Sequence, residues 1–190
     1  LKRFYYKDSI VSMEKWFGEN RQLDSLKTYY VSGVIDEAFY YQKNKFHGAC
    51  KKYNADGTLA VVWNFEKGTL LTTTNHKLAY TQKNKKRILR YFKMLQSIDS
   101  LTRANPKQNK YKYRKTQLFQ RLNYKILAVH GFKHFERYLE KTRDKGNKKT
   151  AKILSSTYDA LGSLYASFEM DDLAIEYKFK AVISAPNESR

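Results

Sequence analysis

The chain has 190 residues, with 37 Lys or Arg against 18 Asp or Glu, so its formal net charge is +19 at pH 7. This length predicts one or two domains, and a hydrophobic content of 42% is sufficient for packed cores. The single cysteine, Cys50, excludes an intramolecular disulfide framework and is expected to be a small residue of the repeat described next. No apolar run approaches the ~20 residues of a transmembrane helix. No secretory signal is seen, but the chain begins with Leu1 rather than Met, so cytoplasmic location and export after leader removal both stay open.

The N-terminal part of the chain contains a pattern that recurs three times with a spacing of 24 residues. Glycine and Asp-Gly supply the positive φ that tight hairpin turns require, and aromatic and β-branched residues between the turns suit a pleated sheet. Three β-hairpins in series are therefore expected to share one antiparallel sheet. The equivalent positions are Tyr6, Tyr30 and Asn54; Ser9, Gly33 and Gly57; Phe17, Tyr41 and Phe65; and, at a second turn expected to be left-handed, Asn20, Asn44 and Gly68.

This pattern resembles the variant MORN repeat over residues 5–72. The resemblance implies a β-hairpin repeat domain at residues 1–76 that acts as an interaction module. In the first unit Ser9 stands where the turn glycine belongs, and Thr72 to Asn75 is expected to be a linker. The repeat positions that carry the resemblance are Tyr30, Gly33, Tyr41, Gly57, Phe65 and Gly68.

Residues 77–190 are expected to form a helical domain. Apolar residues at three- and four-residue spacing predict a helix over residues 84–104, which Asn105-Pro106 ends because the residue before proline avoids the α region. A second helix is predicted from Arg114 to Ala128. Gly131 is expected to be a turn, a third helix to run from Phe132 to Arg143, and Gly146-Asn147 to separate it from the last helices.

The C-terminal segment from Ser155 resembles a tetratricopeptide repeat, a helical hairpin of about 34 residues. Gly162 and Ala174 are small, so two antiparallel helices are expected to approach closely. Since one repeat cannot bury its own faces, residues 112–144 are expected to form a similar hairpin. The positions that carry the resemblance are Tyr158, Leu161, Gly162, Tyr165, Ala174, Ala181 and Pro186, with Pro186 stopping the second helix.

Most of the positive charge lies in the middle of the chain. Residues 77–149 carry a net charge of +18, whereas residues 1–76 carry +3 and residues 150–190 carry −2. Clustered Lys and Arg side chains are the electrostatic footprint of polyanion binding, although solvated helix faces have the same composition. The candidate anion- or partner-binding residues are Lys86, Arg87, Arg90, Lys93, Lys112, Arg114, Lys115 and Arg121.

The sequence contains no recognisable catalytic or cofactor motif. There is no phosphate-binding glycine loop and no nucleophile elbow. His130 and His134 lie four residues apart, but Gly131 stands where a metalloprotease would carry Glu. Asp171 and Asp172 are expected to complement the dipole at a helix start. We therefore expect no enzyme activity, no cofactor and no metal.

Two hypotheses follow for this predicted α+β protein. The first is an adaptor or scaffold that holds a protein or peptide, with an acidic partner favoured by the basic helical domain. The second is a basic module that binds RNA, DNA or an anionic membrane surface. The partner and the oligomeric state stay open.

Overall fold

A computed structural model describes residues 1–76, 82–142 and 148–184, and it has the predicted α+β class. Within these ranges, an eight-stranded antiparallel sheet is followed by five helices. The chain divides into two compact units, Leu1–Tyr80 and Thr81–Arg190. Gly146-Asn147 and Pro186, at which helix boundaries were expected, lie outside the described residues.

The sheet of the first unit is a meander in which each strand pairs with its neighbour in the chain. The order is β1-β2-β3-β4-β6-β7-β8, and the two-residue strand β5 pairs with β4 beside this path. Every pairing is antiparallel, as expected for hairpins in series. The strands are β1 (Lys2–Tyr5), β2 (Val11–Phe17), β3 (Leu23–Tyr29), β4 (Ile35–Gln42), β5 (Lys45–Phe46), β6 (Gly48–Tyr53), β7 (Leu59–Glu66) and β8 (Thr69–Asn75).

The first turn of each unit repeats its backbone geometry every 24 residues. In each unit a backbone N–H donates to the carbonyl oxygen of the residue four positions later in the sequence. The residue just before that acceptor has positive φ. These φ values are 61° at Ser9, 82° at Gly33 and 82° at Gly57. Ser9 therefore adopts the left-handed conformation without being glycine, and the first unit keeps the turn of the other two. The donor and acceptor pairs are Tyr6 and Ile10, Tyr30 and Val34, and Asn54 and Thr58, at 2.7, 2.8 and 2.8 Å.

The second turn is a two-residue turn in the second and third units. Both central residues have positive φ there, which is the geometry of a type I′ hairpin: Lys43 and Asn44 at 50° and 59°, and Lys67 and Gly68 at 49° and 89°.

The expectation for the second turn of the first unit is wrong in detail. Phe17 pairs with Leu23, so five residues form the loop instead of two. Because the Arg21 N–H closes a tight turn onto the Gly18 carbonyl at 2.9 Å, Arg21 takes the left-handed conformation, with φ 54°, in place of Asn20.

An aromatic cluster on one face of the sheet forms the core of the first unit. Phe39, Cys50, Val61 and Trp63 are buried, and the Phe39 ring centroid lies 5.5 Å from that of Trp63. Phe46 lies 5.0 Å from Phe39 and 5.1 Å from the rings of Tyr41 and Phe65. Tyr41 and Phe65, at equivalent positions of the repeat, therefore both contact Phe46, whereas Phe17 of the first unit is 39% exposed.

Tyrosine hydroxyls join successive repeats. The Tyr6 hydroxyl donates to the Tyr29 carbonyl at 2.6 Å, and the equivalent Tyr30 hydroxyl donates to the Tyr53 carbonyl at 2.8 Å. A typical hydrogen bond of this kind contributes roughly 1 kcal/mol. The tyrosine at this position thus ties the first unit to the second and the second unit to the third.

The segment from Thr72 to Asn75 is not a linker, because it continues strand β8. Its threonines pair with β7, Thr73 opposite Trp63, and the Asn64 side-chain amide donates to the Thr72 hydroxyl at 2.8 Å. β-branched threonine favours the extended backbone, which is the physical reason that this polar run is a strand.

The helices of the second unit follow one another with short connections. They are α1 (Gln82–Ala104), α2 (Asn109–Arg121), α3 (Lys125–Lys141), α4 (Lys148–Ala166) and α5 (Asp171–Ser184). Helix α1 ends before Asn105-Pro106, as expected, and Asp171 and Asp172 lie in the first turn of α5.

The predicted boundaries of the middle helices are wrong. The second helix does not continue to Ala128, because Asn123 has φ 58° and ends α2 in the left-handed conformation. The next helix begins at Lys125 rather than Phe132, so Gly131 lies inside α3 and is not a turn. An added Cβ at Gly131 would lie 2.3 Å from the Thr116 Oγ1, so glycine allows α2 and α3 to pack closely.

Helices α4 and α5 form an antiparallel hairpin, and α4 begins before the expected Ser155. The Ser155 hydroxyl donates to the Ala181 carbonyl at 2.8 Å near one end of the hairpin. Near the other end, a Cβ at Gly162 would lie 3.1 Å from the Ala174 carbonyl oxygen. The small residues of this segment therefore stand where the two helix backbones come closest.

Candidate binding surfaces

Exposed lysine and arginine side chains occupy the outer face of α1. Leu95 and Ile98 are buried, whereas Lys86, Arg90 and Lys93 are exposed. Since a helix turns about 100° per residue, these three cations lie opposite the buried pair. Arg87 is also exposed, on the flank of the same helix.

Helix α2 divides its cations between two faces. Lys110, Arg114 and Arg121 are exposed on one side. Lys115 is half-buried and forms an ion pair with Asp99 of α1, and Lys112 is half-buried as well. The eight candidate residues therefore do not form one site, because Lys112 and Lys115 lie on the inward side of α2.

One surface on the α1–α2 hairpin collects cations from both helices. The Arg121 guanidinium lies 5.6 Å from the Tyr91 ring centroid, which brings the outer face of α2 beside one flank of α1. Helical spacing places Arg87, four residues before Tyr91, toward this flank, and Lys110 and Arg114 on the same face of α2 as Arg121. We call Arg87, Lys110, Arg114 and Arg121 the α1–α2 basic surface.

A buried polar cluster joins α3 to α5. The Tyr177 hydroxyl donates to one carboxylate oxygen of Glu136 at 2.9 Å, and Lys133 approaches the other at 2.6 Å. Lys133 also contacts the Tyr177 hydroxyl. Burial, then the bond to Glu136, raises the pKa of Tyr177 well above its usual value. Because the carboxylate is satisfied by these two partners, we interpret the cluster as a connection between helices.

The tyrosines of α4 extend this connection. The Tyr158 hydroxyl donates to the Glu140 carboxylate of α3 at 2.8 Å, and the Tyr165 ring stacks on Tyr177 at 5.4 Å. Burial raises the pKa of Tyr165 to about 12. Tyr165 and Tyr177 therefore remain protonated at neutral pH, and the three tyrosines hold α3, α4 and α5 together.

Helix α5 exposes a continuous apolar stripe on the side that faces away from α4. Its inward residues Ala174, Tyr177 and Ala181 are buried. The outward residues follow at spacings of four, three and one, so they share one face. Their exposed fractions are 69% for Ile175, 65% for Phe179, 71% for Val182 and 54% for Ile183. We call these four residues the α5 apolar stripe.

Acidic residues border the α5 apolar stripe. Asp171, Asp172 and Glu176 are exposed, and α5 carries Lys178 and Lys180. Lys178 pairs with Asp159 of α4 at 2.7 Å, and Lys180 pairs with Glu176 at 2.5 Å. The N-terminal end of the stripe therefore has a negative border, in contrast to the strongly positive α1 and α2.

Sequence reasoning did not find the α5 apolar stripe. The helix is apolar on two opposite faces, so its periodicity gives no single buried side. The sequence does contain a sign of this stripe. The segment from Ile175 to Ile183 has more large apolar residues than are needed to cover one side of a helix against α4.

The sheet also presents aromatic residues to solvent. Trp16 and Tyr40 are exposed, and both lie opposite Ser25 on the strand between them. They form a small aromatic area on the face opposite the Phe39 core.

The two histidines of α3 and the single cysteine do not form a metal site. Among the described residues, no group of three His, Cys, Asp or Glu is arranged to hold a metal ion. Desolvation, followed by neighbouring cationic groups, lowers the pKa of both His130 and His134. Burial raises the pKa of the Cys50 thiol to about 11, which favours the unreactive protonated form.

Within the described ranges, no helix has both the length and the apolar content needed to cross a membrane.

Comparison of the chain with protein-family models, with curated proteins and with solved structures finds no match.

Proposed function

We propose that this protein is a non-catalytic adaptor whose stacked hairpins hold other proteins. In this proposal residues 5–72 are MORN-like repeats and residues 155–188 are a tetratricopeptide-like repeat. The recurring turns and the tyrosine bonds between units support the first assignment. The close approach of α4 and α5 at Gly162 supports the second.

The observation that carries the proposal is the α5 apolar stripe. Contiguous exposed apolar surface of this kind marks interaction sites, and the end of a helical repeat array ordinarily has a polar outer face. Fully burying one large aliphatic or aromatic side chain contributes roughly 1.5–3 kcal/mol. Four such side chains therefore offer a large free-energy gain to a partner that covers them.

The partner that fits this surface is an amphipathic helix with Lys or Arg beside its apolar side. Its apolar residues would cover Ile175, Phe179 and Val182 in the helix-on-helix mode of peptide recognition. Its cations would face Asp171 and Asp172, whose charges have the opposite sign. The acidic ligand that the net charge predicted suits the positive helices α1 and α2 rather than this stripe.

Two synthetic helices test this assignment. Each is a fluorescent peptide of about 18 residues, or five turns, with leucines on one face. The first has lysines beside the leucines, and the second has glutamates at the same positions. Binding is measured by fluorescence anisotropy to the wild-type protein, to I175S/F179S and to the control V31S/L71S. The control removes apolar side chains that are 57% and 55% exposed on the sheet unit.

The adaptor proposal predicts that the lysine peptide binds the wild type and the control alike. I175S/F179S is expected to bind it at least ~10-fold more weakly, because each lost contact removes part of the burial energy. Equal binding of the two peptides, no binding of either one, or no effect of I175S/F179S would contradict the proposal. Sedimentation shows whether a second copy covers the stripe instead, which would also contradict it.

A further inference from the structure

We propose that the α1–α2 basic surface binds the phosphate backbone of a single nucleic-acid strand. This activity is separate from the docking of a partner helix by α5. The binding residues are Arg87, Lys110, Arg114 and Arg121, each of which is exposed.

The carboxylates of helices α1 to α3 are paired with other residues and do not neutralise this surface. Asp99 is engaged by Lys115 on the inner side of the hairpin, and Glu136 is buried against Lys133. Within residues 82–142, Glu140 of α3 is the exposed carboxylate, and it accepts the Tyr158 hydrogen bond. An approaching phosphate therefore meets cations on α1 and α2 with little competition from acids of the same helices.

The spacing of the cations suits a nucleic-acid strand. Lys110, Arg114 and Arg121 lie four and seven residues apart, which corresponds to roughly 6 and 10 Å along α2. A strand that keeps the stacked rise of a B-form strand, about 3.4 Å per nucleotide, presents phosphates at those distances every second or third nucleotide. Arg87 projects from the neighbouring helix, whose axis lies about 8–10 Å away in ordinary helix packing.

Aromatic rings beside the cations favour a single strand over a duplex or a lipid surface. Arg121 lies over Tyr91, and the Lys110 ammonium lies 4.8 Å from the Tyr111 ring centroid. Both rings are half-buried, so part of each faces solvent. Unpaired bases can stack on such rings, whereas a phospholipid headgroup requires only the charge. Arginine also binds phosphate through two parallel hydrogen bonds.

The test measures binding of fluorescent strands to the intact chain. The probes are single-stranded RNA, single-stranded DNA and duplex DNA of about 12 nucleotides, twice the length that α2 covers. Vesicles of phosphatidylserine and phosphatidylcholine form a fourth probe. The test variant is R87Q/K110Q/R114Q, which keeps the packing of Arg121 on Tyr91. The control K86Q/K93Q/K141Q removes equal charge from exposed positions outside the surface.

Four phosphate contacts predict a salt slope of roughly −3, or a ~50-fold loss of affinity between 50 and 200 mM salt. The test variant is expected to bind the strand at least ~10-fold more weakly, with a salt slope about 2 units less steep than that of the wild type. The control is expected to bind less than ~3-fold more weakly. Circular dichroism checks that both variants remain folded. Equal binding of RNA and DNA indicates backbone contacts alone, and preference for RNA adds contacts to the 2′-hydroxyl; both outcomes support the proposal.

Four results would overturn it. They are no binding of a single strand, tighter binding of the duplex, equal losses in the two variants, and binding of vesicles without binding of nucleic acid. I175S/F179S serves to separate the two proposals, because it is expected to keep strand binding when peptide binding is lost.

Discussion

Replacing Gly131 by alanine tests the packing of α2 against α3. A Cβ at this position would lie 2.3 Å from Oγ1, 2.7 Å from Cγ2 and 3.0 Å from Cβ of Thr116. Thr116 is buried, and its hydroxyl donates to the Lys112 carbonyl at 3.0 Å, so the side chain cannot turn away without losing that bond. The added methyl group must therefore displace α2 or α3.

The expected cost follows from three contributions. Alanine gains about 1 kcal/mol over glycine in a helix interior. Overpacking costs about 1–3 kcal/mol, and loss of the Thr116 hydrogen bond costs about 1 kcal/mol. Gly131→Ala is therefore expected to lower the free energy of unfolding of the helical unit by about 1–3 kcal/mol.

Urea unfolding followed by far-ultraviolet circular dichroism measures this change. The companion variant Thr116→Ala removes the two atoms of closest contact, so the double variant is expected to recover at least ~1 kcal/mol relative to the sum of the single changes. If Gly131→Ala is as stable as the wild type, or if the two changes are additive, the close approach of α2 and α3 is refuted. If Gly131 were instead in a turn, as its sequence context suggested, the effects of the two substitutions on the free energy of unfolding would be independent.

Three further predictions concern single residues. Gly57→Ala is expected to destabilise the sheet unit by about 1–2 kcal/mol in urea unfolding followed by tryptophan fluorescence, because Gly57 has φ 82°. Cys50 is expected to react with a thiol reagent at neutral pH only after denaturation, since it is buried and its pKa is raised to about 11. The free energy of unfolding is expected to fall as the pH decreases from about 7 to about 5. His130 and His134 have lowered pKa values in the folded chain, so below their usual value of about 6.5 the unfolded chain takes up protons that the folded chain resists.

Each of these predictions has an internal control. Gly57→Asn should lose less stability than Gly57→Ala, because asparagine tolerates the left-handed conformation, and equal losses would contradict the role of φ. Rapid labelling of Cys50 in the native chain would show that the thiol is accessible. In H130Q/H134Q the slope of stability between about pH 7 and 5 should be smaller. An unchanged slope would show that burial and the neighbouring cations do not lower the pKa of these histidines in the folded chain.

The sheet was largely predictable because its information is local. A turn with Asp56-Gly57 specifies its own geometry, and the 24-residue spacing extends that geometry to Gly33 and Ser9. The exception is the loop of the first unit, where Arg21 replaces Asn20 in the left-handed conformation. Loop length depends on strand pairing, which the residues of the loop alone do not specify.

The helical unit was harder to predict because its information is not local. A glycine within an apolar stretch, such as Gly131, fits either a turn or a close helix contact, and the neighbour Thr116 on another helix decides between them. The dense run from Lys112 to Lys115 likewise appeared to be one cationic patch. Helical rotation turns Lys115 inward to Asp99 and leaves Arg114 outside.

The outward face of α5 depends on the same kind of information. A helix that is apolar on two sides is normally buried on both. In the described structure α4 covers only the side of Ala174 and Tyr177. The sequence therefore predicts a second apolar side of α5, but it does not identify the partner that packs against that side.

The most direct test of this account is the ratio of the dissociation constants of the two synthetic helices for the wild-type chain. We predict at least ~10-fold preference for the peptide with lysines beside its leucines, because the acids Asp171 and Asp172 border the stripe, and loss of that preference in I175S/F179S. A ratio near one, or a preference that survives removal of Ile175 and Phe179, would contradict the claim that α5 is where this protein holds its partner.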